Sequence, residues 1–133
     1  MSPKLPAERL QFRRPIAQIL SDLSRPIPER LIRRRVGQGG KTVSYIPWYY
    51  AARLLDLYAP GWIGEVKGIQ EIGDFVVVTY AITIQAEEGT FTREATGQER
   101  LNNGFTEAVC SAEAQAFKRA CSKFGLALDL YED

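Results

Sequence analysis

Lys118, Arg119, Ser122 and Lys123 place three cations and a hydroxyl within six consecutive positions near the end of the chain. Groups of this kind suit phosphate oxygens: ammonium and guanidinium groups offer charge-assisted hydrogen bonds and a hydroxyl adds a neutral one. A second concentration, Arg33-Arg34-Arg35, runs into Val36-Gly37-Gln38-Gly39-Gly40-Lys41, so a basic run and a further lysine flank a glycine loop. For the later cluster a plainer reading stands beside phosphate binding, because cations near a helix C-terminus also complement the helix macrodipole.

Other chemistries find weaker support. Gly37 to Thr42 ends like a phosphate-binding loop, but that motif needs a glycine five residues before Gly40, where this chain has Arg35. Glu65-Val66-Lys67, with Asp56 upstream, has the residue types of a Mg²⁺-dependent nuclease, yet three common residues at loose spacing suit a solvated strand edge equally well. Glu87-Glu88 falls in an expected hairpin turn. The chain has no histidine and no C-x-x-C, which removes self-contained Ser/His/Asp triads, Cys/His dyads and the usual zinc sites. No catalytic, metal or cofactor-binding residues are assigned.

The later cluster needs a rigid carrier, and the sequence offers one. From Phe105 to Gly125, Val109, Ala112, Ala116, Phe117, Ala120 and Phe124 recur at steps of three and four, the stripe of a helix buried on one side. Thr106 is placed to cap its start, Glu107 favours the N-terminal end of the dipole, and Gly125 suits the left-handed position after its end. Cys110 and Cys121 lie eleven residues apart on this helix, about 16 Å and beyond disulfide reach, and read as small buried apolar residues.

Upstream, 1–11 reads as a loose arm, and 12–23 as a short helix closed by Pro26 and Pro28. A second short helix is expected over 28–34, and a strand over 41–46. Pro47 is expected to open a helix whose stripe is Trp48, Ala52, Leu55 and Ala59, with Tyr45, Tyr49, Tyr50 and Tyr58 mostly in the core. From Trp62 to Arg100 the period changes to two, giving three strands with hairpins at Gly73-Asp74 and Glu87-Glu88-Gly89. Val76, Val78, Tyr80, Ile82 and Ile84 form an apolar face, and Gly97 marks a bulge or a strand end. The expected fold is α+β: an antiparallel β-meander, a β-β-β-α core, with the long helix packed on the sheet. Residues 1–26 form a basic N-terminal arm with a short helix, and 27–133 the main domain with a short acidic tail.

The 133 residues, 45% apolar and 25% charged, suit a single globular domain. Net charge is only +1, but residues 1–41 hold ten Lys/Arg against three Asp/Glu, and the remainder seven against thirteen. Such asymmetry suggests a basic segment that meets an anion, or the acidic part of its own or a neighbouring subunit. No apolar run approaches a membrane span and no secretory h-region is present, so no membrane partner is expected and the default location is intracellular, in cytoplasm or nucleoid.

Taken in order, L-I-R-R-R-V-G-Q-G-G-K-T-V-S-Y-I (31–46), the helix ending near Gly61-Trp62, the E-E-G hairpin, A-T-G (95–97) and A-F-K-R-A-C-S-K-F-G (116–125) resemble the Rad fifty-two family of single-strand annealing proteins, including its bacterial and phage relatives. The likeness covers roughly 27–130 and rests on the ordered set. It implies a ring-forming homo-oligomer that holds single-stranded DNA in a basic outer groove and anneals complementary strands in recombinational DNA repair. It implies no enzymatic activity and no cofactor, with a single-strand-binding protein or a recombinase as further partners. The resemblance carries the family's DNA-contacting arginine onto Arg35 and its lysine-arginine pair onto Lys118 and Arg119. The next family cation falls on Ser122, with Lys123 adjacent. Arg33, Arg34, Arg35, Lys41, Lys118, Arg119 and Lys123 are therefore the candidate DNA-binding residues. An outer family site falls on Asp74 at one position, and on Arg93 or Arg100 at the other.

Overall fold

The computed structural model describes residues 13–131; the expected arm at 1–11 and the last acidic residues lie outside them. Three long strands, β3 (Ile63–Ile72), β4 (Phe75–Ala86) and β5 (Gly89–Arg100), form one antiparallel sheet in that order. Period-two alternation builds its buried face: Val76, Val78, Ile82 and Ile84 of β4 are all fully buried. Gly73 has φ +59 in the first hairpin, which fits the tight turn expected there. The antiparallel α+β class is thus as expected.

The long helix, α3 (Phe105–Ser122), lies across β4 and β5. Ala108, Ala112 and Ala116 meet Val76 and Val78, while Phe117, Ala120 and Phe124 join Ile82 and Ile84 in the larger core. Each large apolar side chain buried there contributes about 1.5–3 kcal/mol. The alanines let the helix approach closely, and Gly97 completes the contact. A Cβ at Gly97 would stand 2.2 Å from the Ala112 carbonyl oxygen and 2.6 Å from the Ala116 nitrogen. Gly97 pairs regularly with Val78, so it is neither a bulge nor a strand end; the register shift lies between Val66 and Gly68 on β3. Nor does Thr106 cap α3. The helix opens after Gly104, at φ +105, with no side-chain cap, and Thr106 lies inside the first turn beside Glu107. Gly125 takes φ +99, as expected.

The upstream segments close the core. In α1 (Ile16–Leu23), Ile19 and Leu23 are buried against the main cluster. Arg14 donates to the Tyr58 carbonyl at 2.7 Å and to Asp22 at 2.5 Å, and its own carbonyl accepts from the Glu87 amide at 2.9 Å. One arginine therefore joins α1, the helix that ends at Tyr58 and the β4–β5 turn. The Arg14 hydrogen bond holds the Asp22 carboxyl below its usual range. In α2 (Trp48–Tyr58) the buried residues are Ala51 and Leu55, followed by Ala59, while Trp48 is 54% exposed. Pro47 sits just before the first turn. The tyrosines also depart from expectation: Tyr49 is exposed and Tyr45, Tyr50 and Tyr58 are half-buried. Ala51, Leu55 and Ala59 enter the main core, and the amphipathic rings remain at its margins.

The expected helix at 28–34 shrinks to one 3₁₀ turn, Glu29–Leu31. Beyond it Arg33–Val36 forms β1, paired antiparallel with β2 (Thr42–Tyr45) as a separate two-stranded sheet. So short a helix would be marginal, whereas pairing with Thr42 and Val43 satisfies the backbone. Gly39 and Gly40, at φ +74 and +77, make the reversal.

The cysteines divide. Cys121 is buried and its thiol is pushed far up by that burial, but Cys110 is exposed. Cys110 occupies the outer flank of α3, away from the alanine stripe. Native protein is expected to take up one equivalent of iodoacetamide and unfolded protein two, counted by intact mass. Two equivalents on the native fold would contradict the burial of Cys121.

Candidate nucleic-acid interface

Directly opposed residues of an antiparallel pair share a face, so the pairs Arg33↔Tyr45 and Arg35↔Val43 put two arginines and a tyrosine on one side of the hairpin. The second half of α3 lies against that side. The Arg35 guanidinium is 5.7 Å from the Tyr45 ring centroid, and the Lys118 ammonium 5.1 Å from the same centroid. Arg119 lines the same groove, of about 200 Å³, whose floor is formed by Ile46, Ala51, Cys121 and Leu126. Two cations thus converge on one aromatic ring above an apolar floor.

The electrostatics carry a cost that an anion would remove. Lys118 is half-buried, and that desolvation, followed by repulsion from Arg35, lowers its pKa. Attraction to the Tyr45 ring offsets part of this, about 0.5–2 kcal/mol per cation. Among the described residues neither Arg35, Lys118 nor Arg119 makes an ion pair with a carboxylate. A phosphate seated between them would oppose their repulsion and favour the protonated form of the lysine.

The other sequence candidates separate. Arg33 leans over Tyr50, 5.6 Å from its centroid, on the outer part of the hairpin. Arg34 points to the opposite face, where it pairs with Glu29 at 2.6 Å. Lys41 is exposed after the glycine turn, away from the groove lining. Lys123 turns toward β5 and donates to the Glu94 carbonyl at 2.5 Å. Arg100 stacks over Phe75 at the far end of the sheet. The nuclease-like trio is engaged elsewhere: Asp56 accepts from the Trp62 indole at 2.6 Å, and Glu65 pairs with Lys67 at 3.4 Å. Among the described residues no three His, Cys, Asp or Glu side chains cluster as metal ligands do.

Sequence reasoning missed Tyr45 as a site residue. The signal was available once 33–36 is read as a strand, because alternation then puts Arg35 and Tyr45 on one face.

Fold and site together define a small α+β protein in which a basic hairpin and a sheet-borne helix enclose a groove lined by three cations. Residues 15–133 match the model of the Rad52/22 family double-strand break repair protein, and the chain belongs to that family. It is 40% identical over 123 residues to DNA repair RAD52-like protein 1, mitochondrial, of Arabidopsis thaliana, covering 90% of this chain and 69% of the relative. It is 41% identical over 125 residues to DNA repair RAD52-like protein 2, chloroplastic, of the same plant, covering 90% of this chain and 62% of the relative. The chain thus spans less than two thirds of the second relative's length. These names overturn the expected cytoplasm or nucleoid location, since both relatives are organellar proteins. That expectation rested on a missing h-region, which speaks to secretion; organelle import uses arginine- and serine-rich amphipathic segments.

Proposed function

We propose that this protein binds single-stranded DNA in the groove between the β1–β2 hairpin and α3, and promotes annealing of complementary strands in recombinational repair. The observation that carries it is the convergence of Arg35, Lys118 and Arg119 beside Tyr45 without a carboxylate partner among the described residues. Cations on two supported elements grip the phosphodiester backbone and leave base edges open, as testing for complementarity requires. The reaction is a binding process with no bond made or broken, so the protein acts without enzymatic chemistry, nucleotide or metal. A homo-oligomeric ring repeats the groove around its rim, and a single-strand-binding protein or a recombinase supplies or receives the strands. In support of assembly, Ile63, Ile69 and Ile72 stand 52%, 48% and 57% exposed on the edge strand β3, apolar area that a neighbouring subunit would cover.

Fluorescence-transfer annealing of two complementary oligonucleotides, with chelator and without nucleotide, tests the proposal. The expected result is a rate well above the spontaneous one, with light scattering reporting a mass several times that of one chain. Tight binding without acceleration would instead indicate an end-protecting or RNA-binding protein on the same fold, and a strictly monomeric mass would remove the ring.

A further inference from the structure

Arg119 borders two depressions. Besides the groove it lines a shallow cleft between β5 and the last turn of α3, together with Ala95, Thr96, Ser122 and Lys123. Arg93 stands at the edge of this cleft, its guanidinium 4.8 Å from the Phe124 ring centroid and donating to the Lys123 carbonyl. Strand alternation puts Arg93 on the same face of β5 as Ala95 and Gly97, the face turned to α3.

All three cations are oriented by main-chain carbonyls: Arg93 by Lys123, Lys123 by Glu94, and Arg119 by Thr96 at 3.2 Å. A carbonyl accepts a hydrogen bond and carries no net charge, so these groups are aimed without being neutralised. Among the described residues none of the three forms an ion pair. The three are exposed, and each retains further N–H donors for an anion.

We propose that the cleft is a second phosphate seat, in which Arg93 and Lys123 take a phosphodiester adjacent to the one held by Arg35 and Lys118, with Arg119 shared between them. It rests on the DNA-binding reading above and extends it from one contact to a track that leaves α3 and crosses onto β5. A purely structural role, two cations complementing the C-terminal end of α3, would act on stability alone.

The test is fluorescence-anisotropy titration of labelled oligothymidine against the full-length protein over a series of sodium chloride concentrations. Wild type, Arg93→Gln/Lys123→Gln, Arg93→Lys/Lys123→Arg and Lys118→Ala are compared, each with its melting temperature. For the Gln pair the slope of log affinity against log salt is expected to shrink by about 0.7, the share of one single-strand phosphate, and the charge-conserving pair should keep it. An unchanged slope with a lowered melting temperature overturns the second seat and leaves helix capping. The parallel Lys118→Ala arm separates the readings. Loss there alone sinks only the extension, loss in the Gln pair alone sustains the cleft and removes the groove, and loss in neither sinks both.

Discussion

Lys118→Ala is expected to weaken single-stranded DNA binding roughly tenfold, about 1.4 kcal/mol, and to flatten its salt dependence by about 0.7. The effect is large for one lysine because Lys118 is half-buried and its charge is opposed by Arg35, so attraction to an incoming phosphate offsets the desolvation and the repulsion together. Arg35→Ala should act similarly, and the double variant should depart from additivity by about 0.5 kcal/mol or more, because both cations face one ring. Folding should not suffer. A lysine whose folded pKa is lowered binds fewer protons when folded, so its charged form disfavours the native state below that pKa, and stability rises as pH climbs toward the unfolded value. Lys118→Ala should therefore leave the melting temperature level or slightly higher while binding falls. Equal dissociation constants for variant and wild type at every salt concentration would remove Lys118 from the site.

Gly97→Ala should be the most damaging small substitution in the sheet. The added methyl would stand 2.2 Å from the Ala112 carbonyl oxygen and 2.6 Å from the Ala116 nitrogen, and both neighbours are backbone. No rotamer change relieves such an overlap, so α3 must lift from β5, at a cost of about 3 kcal/mol. For a domain of this size that lowers the melting temperature by roughly 10 °C. Gly68→Ala is the matched control, since nothing stands within 4 Å of its added carbon. If thermal denaturation gave both variants the same midpoint, the close seating of the helix would be wrong. Because Lys118 and Arg119 ride on α3, partial unseating should also spread the groove.

What could be read from the residues follows how local their causes are. The alternation Val76, Val78, Ile82 and Ile84 reports a buried strand face by itself, and the alanine-rich stripe of α3 reports a helix meant for close approach. Arg33 to Arg35 were harder, since arginine suits helices and the β conformation comes from pairing with 42–45 across the glycine turn. Gly97 failed for the same reason: its role is set by a helix many residues later in the chain. Cys110 reads as a small buried residue once a disulfide is excluded, yet it is exposed, on the opposite flank of α3 from Ala112 and Ala116. Of the seven site candidates, the groove gathers Arg35, Lys118 and Arg119, whereas Arg34 is taken by Glu29, a partner close in sequence that only a strand geometry reveals. Tyr45 became visible as a site residue only when the hairpin register was known.

The β1–β2 hairpin shares no ladder hydrogen bond with the main sheet. A two-stranded ribbon alone is marginally stable in water, so its order depends on Ile32 and Ile46, which flank its two strands and pack in the main core. The groove therefore has walls of unequal support, the softer one a ribbon joined to the core at its base and the other a helix packed along the main sheet. An anion seated between them adds to the forces that hold the softer wall, so occupancy and local order are linked quantities. The binding surface is completed in part by what it binds.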